Sequence, residues 1–214
     1  HTDLKPPFIA LVVSGGHTSL LMVDDYTSYK SIGQTRDDAA GEAFDKAARM
    51  LGLPYPGGAA MDKLAAVGNK NAMKFTISHV DNCLYDFSFS GLKTAVINQV
   101  HTMQQKGIEL TEEFKADLAA SFTETLVKSI CLRVDALYSE VGSIPLVLAG
   151  GVAANSHLRA GLKKLAESKG VPLYLPPLSL CGDNAAMIAS QGYFEYLSGS
   201  VADLKLNAFA TKTV

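Results

Sequence analysis

The sequence predicts an α/β fold with a mixed sheet, an antiparallel meander and flanking helices, and three observations carry that prediction. Phe8–Val13, Ser19–Asp24 and Tyr26–Gly33 are short strand-like runs separated by brief turns, the spacing of a meander. Pro145–Ala149 is an apolar run followed at once by Gly150-Gly151 and a helical pattern, which suits a strand covered on both faces that turns into a helix. After Thr111, the residues Phe114, Leu118, Phe122, Leu126, Ile130, Val134 and Leu137 recur at steps of three and four, one apolar face of a long helix that covers the sheet.

The remaining elements follow in order. His1–Pro7 is polar, ends in Pro6-Pro7 and reads as a linker. Asp37–Leu51 reads as a helix started by Asp37 or Asp38, with Ala40, Phe44, Ala47 and Leu51 as its apolar stripe. Gly52 and Pro54 stop it. Pro56-Gly57-Gly58 is a rigid glycine turn, and Ala59–Ala66 a short helix carrying Asp62. Asp86–Ser90 alternates and reads as a short strand, then Gly91–Gln104 as a helix that Ser90 can cap. Thr111 caps the long helix, which reads as scaffold. In the unit Ile144–Lys169, Asn155 or Ser156 caps the helix after the glycine turn. Val171–Leu175 is a second short parallel strand closed by Pro176-Pro177. Asp183–Leu197 is a helix with Asp183 and Asn184 at its start and Gly192 interrupting its pattern, and Ser198–Val214 a mixed tail.

With 214 residues, 48% of them hydrophobic, the chain can bury a substantial core and does not read as disordered. A formal net charge of -2 announces no strongly basic field of a nucleic-acid binder, and leaves a local basic patch open. Cys83, Cys131 and Cys181 are odd in number and far apart, so they form neither a zinc spacing nor a disulfide framework, and a reducing compartment is expected. No signal peptide or long apolar run is found, which points to a cytoplasmic protein with no membrane partner. The first residue is His1, and the chain is expected to be cut from a longer protein or processed.

Four stretches are candidates for chemistry. In Ser14-Gly15-Gly16-His17-Thr18, the N–H groups of Ser14–Gly16 with the Ser14 and Thr18 hydroxyls can cradle a phosphate, with His17 as a further donor. An ordinary turn with a surface histidine fits as well, and the lysine of a Walker loop is missing. Gly150-Gly151 is either a tight connection or a place where backbone approaches a ligand. Asp38, Glu42, Asp45 and Arg49 share one helix face, either a salt-bridged surface or a binding face beside Ala39, Ala40 and Gly41. Asp183 is either an N-cap or a metal ligand.

Taken together, VVSGGHT at Val12–Thr18, DDAAGEAFDKAA at Asp37–Ala48, YPGG at Tyr55–Gly58, DFSFSGLKTAV at Asp86–Val96, LAGGVAANSHLR at Leu148–Arg159 and CGDNAAMIA at Cys181–Ala189 carry a resemblance. The chain resembles the tRNA N6-adenosine threonylcarbamoyltransferase family, in its bacterial form, over nearly its whole length. The resemblance implies a ribonuclease-H-like domain of the actin/sugar-kinase/heat-shock ATPase superfamily. Residues 8–197 would be the second half of such a protein, mainly helical over about 37–140, between a linker at 1–7 and a tail at 198–214. The family's HxxxH metal motif does not occur here.

What the resemblance implies for function is written here as expectation. The parent protein would transfer a threonylcarbamoyl group from threonylcarbamoyl-AMP to N6 of adenosine 37 in tRNAs that read codons beginning with adenine. The segment alone would be inactive. The Ser14-Gly15-Gly16 tip would hold the phosphate or carbamate part of threonylcarbamoyl-AMP or ATP, and Val12, Val13, His17 and Thr18 would belong to the same substrate- or nucleotide-binding set. Asp45, Gly58 and Asp62 would contact the ribose or adenine side, and Gly151 and Asn155 would border the adenosine. Asp183 would complete an Fe(2+) or Zn(2+) site with two histidines that this sequence lacks. Gly182 stands where the family usually has threonine, removing one hydroxyl nearby. A paralogous inactive subunit, a small ATPase and tRNA are the implied partners. The rivals are an ATP-dependent kinase or ATPase of the same fold and a nucleotide-binding assembly module; no HExxH motif supports a metalloprotease.

Overall fold

A computed structural model describes residues 1 and 3–208. One five-stranded sheet runs in the order β3-β2-β1-β4-β5. Its strands are β1 (Phe8–Val13), β2 (Thr18–Asp25), β3 (Ser28–Gln34), β4 (Leu146–Ala149) and β5 (Leu173–Tyr174). β1 pairs antiparallel with β2, from Phe8 opposite Val23 to Val13 opposite Thr18, and β2 pairs antiparallel with β3. β4 lies parallel to β1, with Ile9 opposite Leu146 and Val12 opposite Ala149, and β5 lies parallel to β4. The sheet is therefore mixed, and the change of direction falls on β1.

Period-two alternation sends Ile9, Leu11 and Val13 into the core together with Leu20, Leu146 and Leu148. The helices α1 (Ala40–Met50), α2 (Gly58–Ala65), α3 (Ser90–Gln105), α4 (Glu112–Val141), α5 (Ser156–Lys169) and α6 (Ala185–Leu197) complete the fold. The apolar stripe of α4 is buried from Leu118 through Phe122, Leu126, Ile130 and Val134 to Leu137. Phe122 meets Phe44 of α1 edge to face at 5.4 Å, which ties two helices together inside one core. Thr111 caps α4 by accepting from Phe114 N at 3.1 Å, and Asn155 caps α5 by accepting from Leu158 N at 2.8 Å. α6 is different: none of its residues is buried, although most of them are apolar. Phe194 stacks on Tyr26 at 4.0 Å.

Several expectations need correction. Asp86–Ser90 is not a strand; Phe87 makes a single bridge with Thr35, and Ser90 already belongs to α3. The reason is Asp37, whose Oδ1 accepts from Phe89 N at 2.8 Å and from Ser90 N at 3.2 Å while its Oδ2 takes both serine hydroxyls, Ser88 and Ser90. Asp37 thus caps α3 across the fold instead of starting α1, and Ser90 is not the cap. α1 begins at Ala40, whose N–H is taken by the buried Thr18 Oγ1 at 2.9 Å. Asp183 does not cap α6 either; Asn184 does, accepting from Met187 N at 3.0 Å. The strand expected over Val171–Leu175 shrinks to Leu173–Tyr174, and Gly192 lies within α6 without breaking it. Thr2 of the expected linker and residues 209–214 of the expected tail lie outside the described residues.

Candidate functional site

β1 and β4 are parallel neighbours, so their carboxyl ends open on the same side of the sheet. In open α/β sheets that is where ligands gather. The chain leaves β1 into Ser14–His17 and leaves β4 into Gly150-Gly151. The first of these connections is pressed against α1 and the second against the end of β1. A Cβ at Gly41, in the first turn of α1, would sit 2.6 Å from Ser14 O and 2.8 Å from Gly15 Cα. A Cβ at Gly150 would sit 2.4 Å from Val13 O, and its φ of +93° is one that L side chains rarely adopt. Only glycine allows both approaches.

The turn after β1 is not the open cradle expected of it. Ser14 N donates to His17 O at 2.7 Å, and Ser14 Oγ accepts from Gly16 N at 3.3 Å and His17 N at 3.0 Å. These local bonds satisfy the turn from within. Among the described residues, Gly15 N is the one amide of Ser14–His17 left without a partner. Thr18 is buried beneath α1, and Val13 lies in the core with Val12 half-buried beside it. His17 and Gly16 are exposed at the tip.

A cleft of about 510 Å³ lies between this turn, α1, α2 and the start of α5. Gly15, Asp45, Gly58, Asp62, Gly151 and Asn155 all line it, although they come from four separate stretches of sequence. Val12, Val13, Ser14, Gly16, His17, Thr18 and Asp183 do not line it. Asp45 Oδ1 accepts from Gly57 N at 2.7 Å, which fixes the carboxylate at the mouth of α2 and leaves Oδ2 unpartnered among the described residues. Asn155 commits its Oδ1 to the cap of α5, so its amide Nδ2 is the group left to meet a ligand.

Asp62 is held from across the cleft. Its Oδ1 receives Ser156 N at 3.1 Å and Ser156 Oγ at 3.0 Å, and stands 2.9 Å from His157 Nδ1. The trio of Ser156, His157 and Asp62 is not a nucleophilic relay. Ser156 Oγ and Asp62 both face the same ring nitrogen, whereas a relay places serine and carboxylate on opposite nitrogens.

The acidic face of α1 resolves into two parts. Lys46 Nζ bridges Asp38 at 2.8 Å and Glu42 at 2.6 Å, and Lys93 Nζ meets Asp38 Oδ2 at 2.6 Å. Burial works to raise the Asp38 pKa, but the hydrogen bonds and charges of Lys46 and Lys93 outweigh it and hold the carboxyl below its ordinary value. That part of the face is structural, and Asp45 is the carboxylate of α1 that reaches the cleft.

Asp183 is exposed, one residue before the cap of α6. Among the described residues, no three His, Cys, Asp or Glu side chains gather as a metal would need. The residues present do not by themselves fit an iron or zinc ion, because a lone carboxylate is a poor ligand set for either.

Sequence reasoning missed some of the cleft. Tyr55, 81% exposed, and Pro56 offer an apolar wall, and Lys63 places a cation at the rim. The YPGG stretch pointed to the first two, and only the turn was read from it. His157 gave no signal, since its partner Asp62 is 95 positions away.

Comparison with known proteins adds the following. A family model described as TsaD, tRNA N6-adenosine threonylcarbamoyltransferase, matches residues 1–190. A protein of that name from Clostridioides difficile (strain 630) is 48% identical over 208 residues, 97% of this chain and 61% of its own length. One from Caldicellulosiruptor saccharolyticus is 49% identical over 209 residues, with 97% and 60% covered. The chain thus spans about 60% of the length of the curated relatives it matches. Among solved structures, full-length HypF in a phosphate- and nucleotide-bound form superposes with a TM-score of 0.62 at 18% identity, over 85% of this chain and 38% of that one. HypF of T. kodakarensis gives 0.56 at 22% identity, over 76% and 20%. At such identities the likeness is one of fold alone, a mixed sheet with flanking helices.

Proposed function

This chain belongs to the tRNA N6-adenosine threonylcarbamoyltransferase family, and on that premise we propose that the whole protein transfers a threonylcarbamoyl group from threonylcarbamoyl-AMP to N6 of adenosine 37 in tRNA. The observation that carries the reading is the cleft at the carboxyl ends of β1 and β4, where two carboxylates, an amide side chain and one free backbone N–H converge. The free Asp45 Oδ2 suits a ribose hydroxyl. Tyr55 and Pro56 offer an apolar surface to adenine, with Asn155 Nδ2 as a donor beside it. Gly15 N–H and the Lys63 ammonium suit the phosphate.

The chemistry is acyl transfer. N6 attacks the carbamoyl carbon, a C–N bond forms, the C–O bond to phosphate breaks and N6 loses a proton. Residues that fix the AMP portion hold the carbamoyl carbon within reach of N6 and keep the leaving phosphate in place. A donor at Gly15 offsets negative charge as it grows on that phosphate. Asp183 is proposed as this chain's contribution to an Fe(2+) or Zn(2+) site whose other ligands lie outside the chain. The tRNA, a paralogous subunit and a small ATPase are proposed as partners on the strength of family membership alone.

Because the chain spans about 60% of its relatives, the reaction is assigned to the whole protein and the segment alone is expected not to catalyse it. The exposed apolar side chains of α6, such as Ile188 and Tyr196, support that reading, since the remainder of the protein would cover them. The test is calorimetric titration of the chain and of the whole protein with AMP and ATP, beside an assay for threonylcarbamoyl-adenosine in tRNA. Binding to the whole protein that is lost on Asn155→Ala, together with tRNA product, supports the proposal. Product formed by the isolated chain would overturn its division of labour, and nucleotide binding indifferent to Asn155 would overturn the site.

A further inference from the structure

A second concavity, a groove of about 580 Å³, lies between α4 and α5 with His157 in its lining. Its floor is apolar, where Gly161 packs so closely that a Cβ there would meet Val127 Cγ1 at 2.6 Å. Its rim is cationic. Lys70 comes from the stretch after α2, Lys128 from α4 and Lys164 from α5, and the single acidic side chain of the lining is Glu124. Glu124 is paired with Lys70 at 3.3 Å. Lys128 and Lys164 have no carboxylate partner among the described residues, and both are exposed. In a chain with a formal net charge of -2, the groove thus carries two lysines without a carboxylate partner among the described residues.

On the α5 side, His157, Gly161, Lys164 and Ser168 recur at steps of four, three and four, so they form one continuous stripe along the helix. The stripe begins at the residue whose Nδ1 contacts Asp62 of the nucleotide cleft. Burial pushes the thiol of Cys131 in the wall up to about 11, which disfavours its thiolate. What the groove offers is three lysines, two of them without a carboxylate partner among the described residues, and a serine hydroxyl in the same lining.

We propose that this α4–α5 groove binds the phosphodiester backbone of the RNA substrate, with Lys128 and Lys164 neutralising successive phosphates. The inference rests on the reading of the whole protein as a tRNA-modifying enzyme. Lysine suits the role because a compact ammonium meets a phosphate without reading sequence.

The experiment is tRNA binding to the whole protein at a series of salt concentrations, with ATP titrated in parallel. Lys128→Gln/Lys164→Gln is expected to weaken tRNA binding by about 5- to 20-fold at low salt and to reduce the slope of log K against log[salt] by about 1.5–2. ATP affinity should stay unchanged, and Lys128→Arg/Lys164→Arg should restore tRNA binding. Unchanged tRNA affinity and slope in the glutamine variant, with wild-type binding intact, would overturn the groove and leave the proposed reaction standing. Equal losses for ATP and tRNA would overturn it in favour of a free-nucleotide subsite. Wild-type protein that does not bind tRNA would overturn both readings.

Discussion

His157 Nδ1 stands 2.9 Å from Asp62 Oδ1, and this contact joins the second turn of α2 to the first turn of α5 across 95 positions of sequence. Ser156 adds its N–H and hydroxyl to the same carboxylate, so Asp62 is aimed by three groups before any ligand arrives. His157→Ala in the whole protein is expected to weaken adenine-nucleotide binding by about 2- to 10-fold, the worth of one hydrogen bond of about 0.5–1.5 kcal/mol. His157→Gln, which keeps a donor, should recover most of the loss. Calorimetry checks this. Unchanged nucleotide affinity with a lowered urea midpoint would mean that the pair serves only the helix packing.

Thr18 was expected to face a ligand and instead supports one wall of the cleft from below. Its hydroxyl is buried and takes the Ala40 N–H at the start of α1, while its carbonyl accepts from Thr35 N at 2.8 Å. Thr18→Val keeps the shape and removes the acceptor. It should cost about 1–3 kcal/mol, because a buried N–H is left unpaired. Urea denaturation of the chain measures this. Thr18→Ser, which keeps the hydroxyl, should cost less.

How much of this could be seen in the sequence depends on how far each residue's partner lies. The strand at Phe8–Val13 was legible because its apolar side chains carry their own period and Ile9, Leu11 and Val13 all reach the core. The helix α4 was legible for the same reason at period 3.6. DFSFS misled because Phe87 and Phe89 are both buried and stacked at 6.1 Å, which imitates a strand, while the backbone is shaped by Asp37 about fifty positions earlier. The cleft was legible as motifs but not as geometry. Gly15, Asp45, Gly58, Asp62, Gly151 and Asn155 were named together through the family resemblance of their motifs, and they all line one cavity. Whether a serine hydroxyl turns inward, as Ser14 Oγ does, is decided by hydrogen bonds that no spacing reveals.

Acid should unfold the chain through a small set of carboxylates. Asp37, Asp38 and Asp86 each have a folded pKa below the ordinary 3.8. Burial opposes this in every case. It is outweighed by Ser88, Ser90 and backbone donors at Asp37, by Lys46 and Lys93 at Asp38, and by Gln34 N and Arg36 at Asp86. Folding therefore favours the ionised forms. Their stabilisation is fully present above the unfolded value and is lost as pH falls through the lower folded values. The urea midpoint is expected to be level from pH 7 to pH 5 and to drop below about pH 4. Asp37→Asn should lower the midpoint at pH 7 and make the acid limb shallower. A limb of unchanged steepness would remove Asp37 from the set.

Gly41 offers the sharpest test of how the cleft is shaped. Its N–H donates to Ser14 O at 3.1 Å, and a Cβ would meet that same oxygen at 2.6 Å and Gly15 Cα at 2.8 Å. These are backbone atoms and cannot swing aside. Gly41→Ala must push α1 away from the turn, and overpacking of this kind costs about 1–3 kcal/mol. The displaced turn carries Gly15, which lines the cleft, so ligand binding should fall along with stability. The expected result is a folded chain with a modestly lowered urea midpoint and, in the whole protein, nucleotide affinity reduced by tenfold or more, on the order of 1.4 kcal/mol. Gly16→Ala is the control. Open space surrounds that position, with nothing within 4 Å of an added Cβ, so both quantities should stay near wild type. Equal effects from the two substitutions would show that the turn tolerates or rejects side chains as a whole, and the contact between Gly41 and Ser14 would lose its special place.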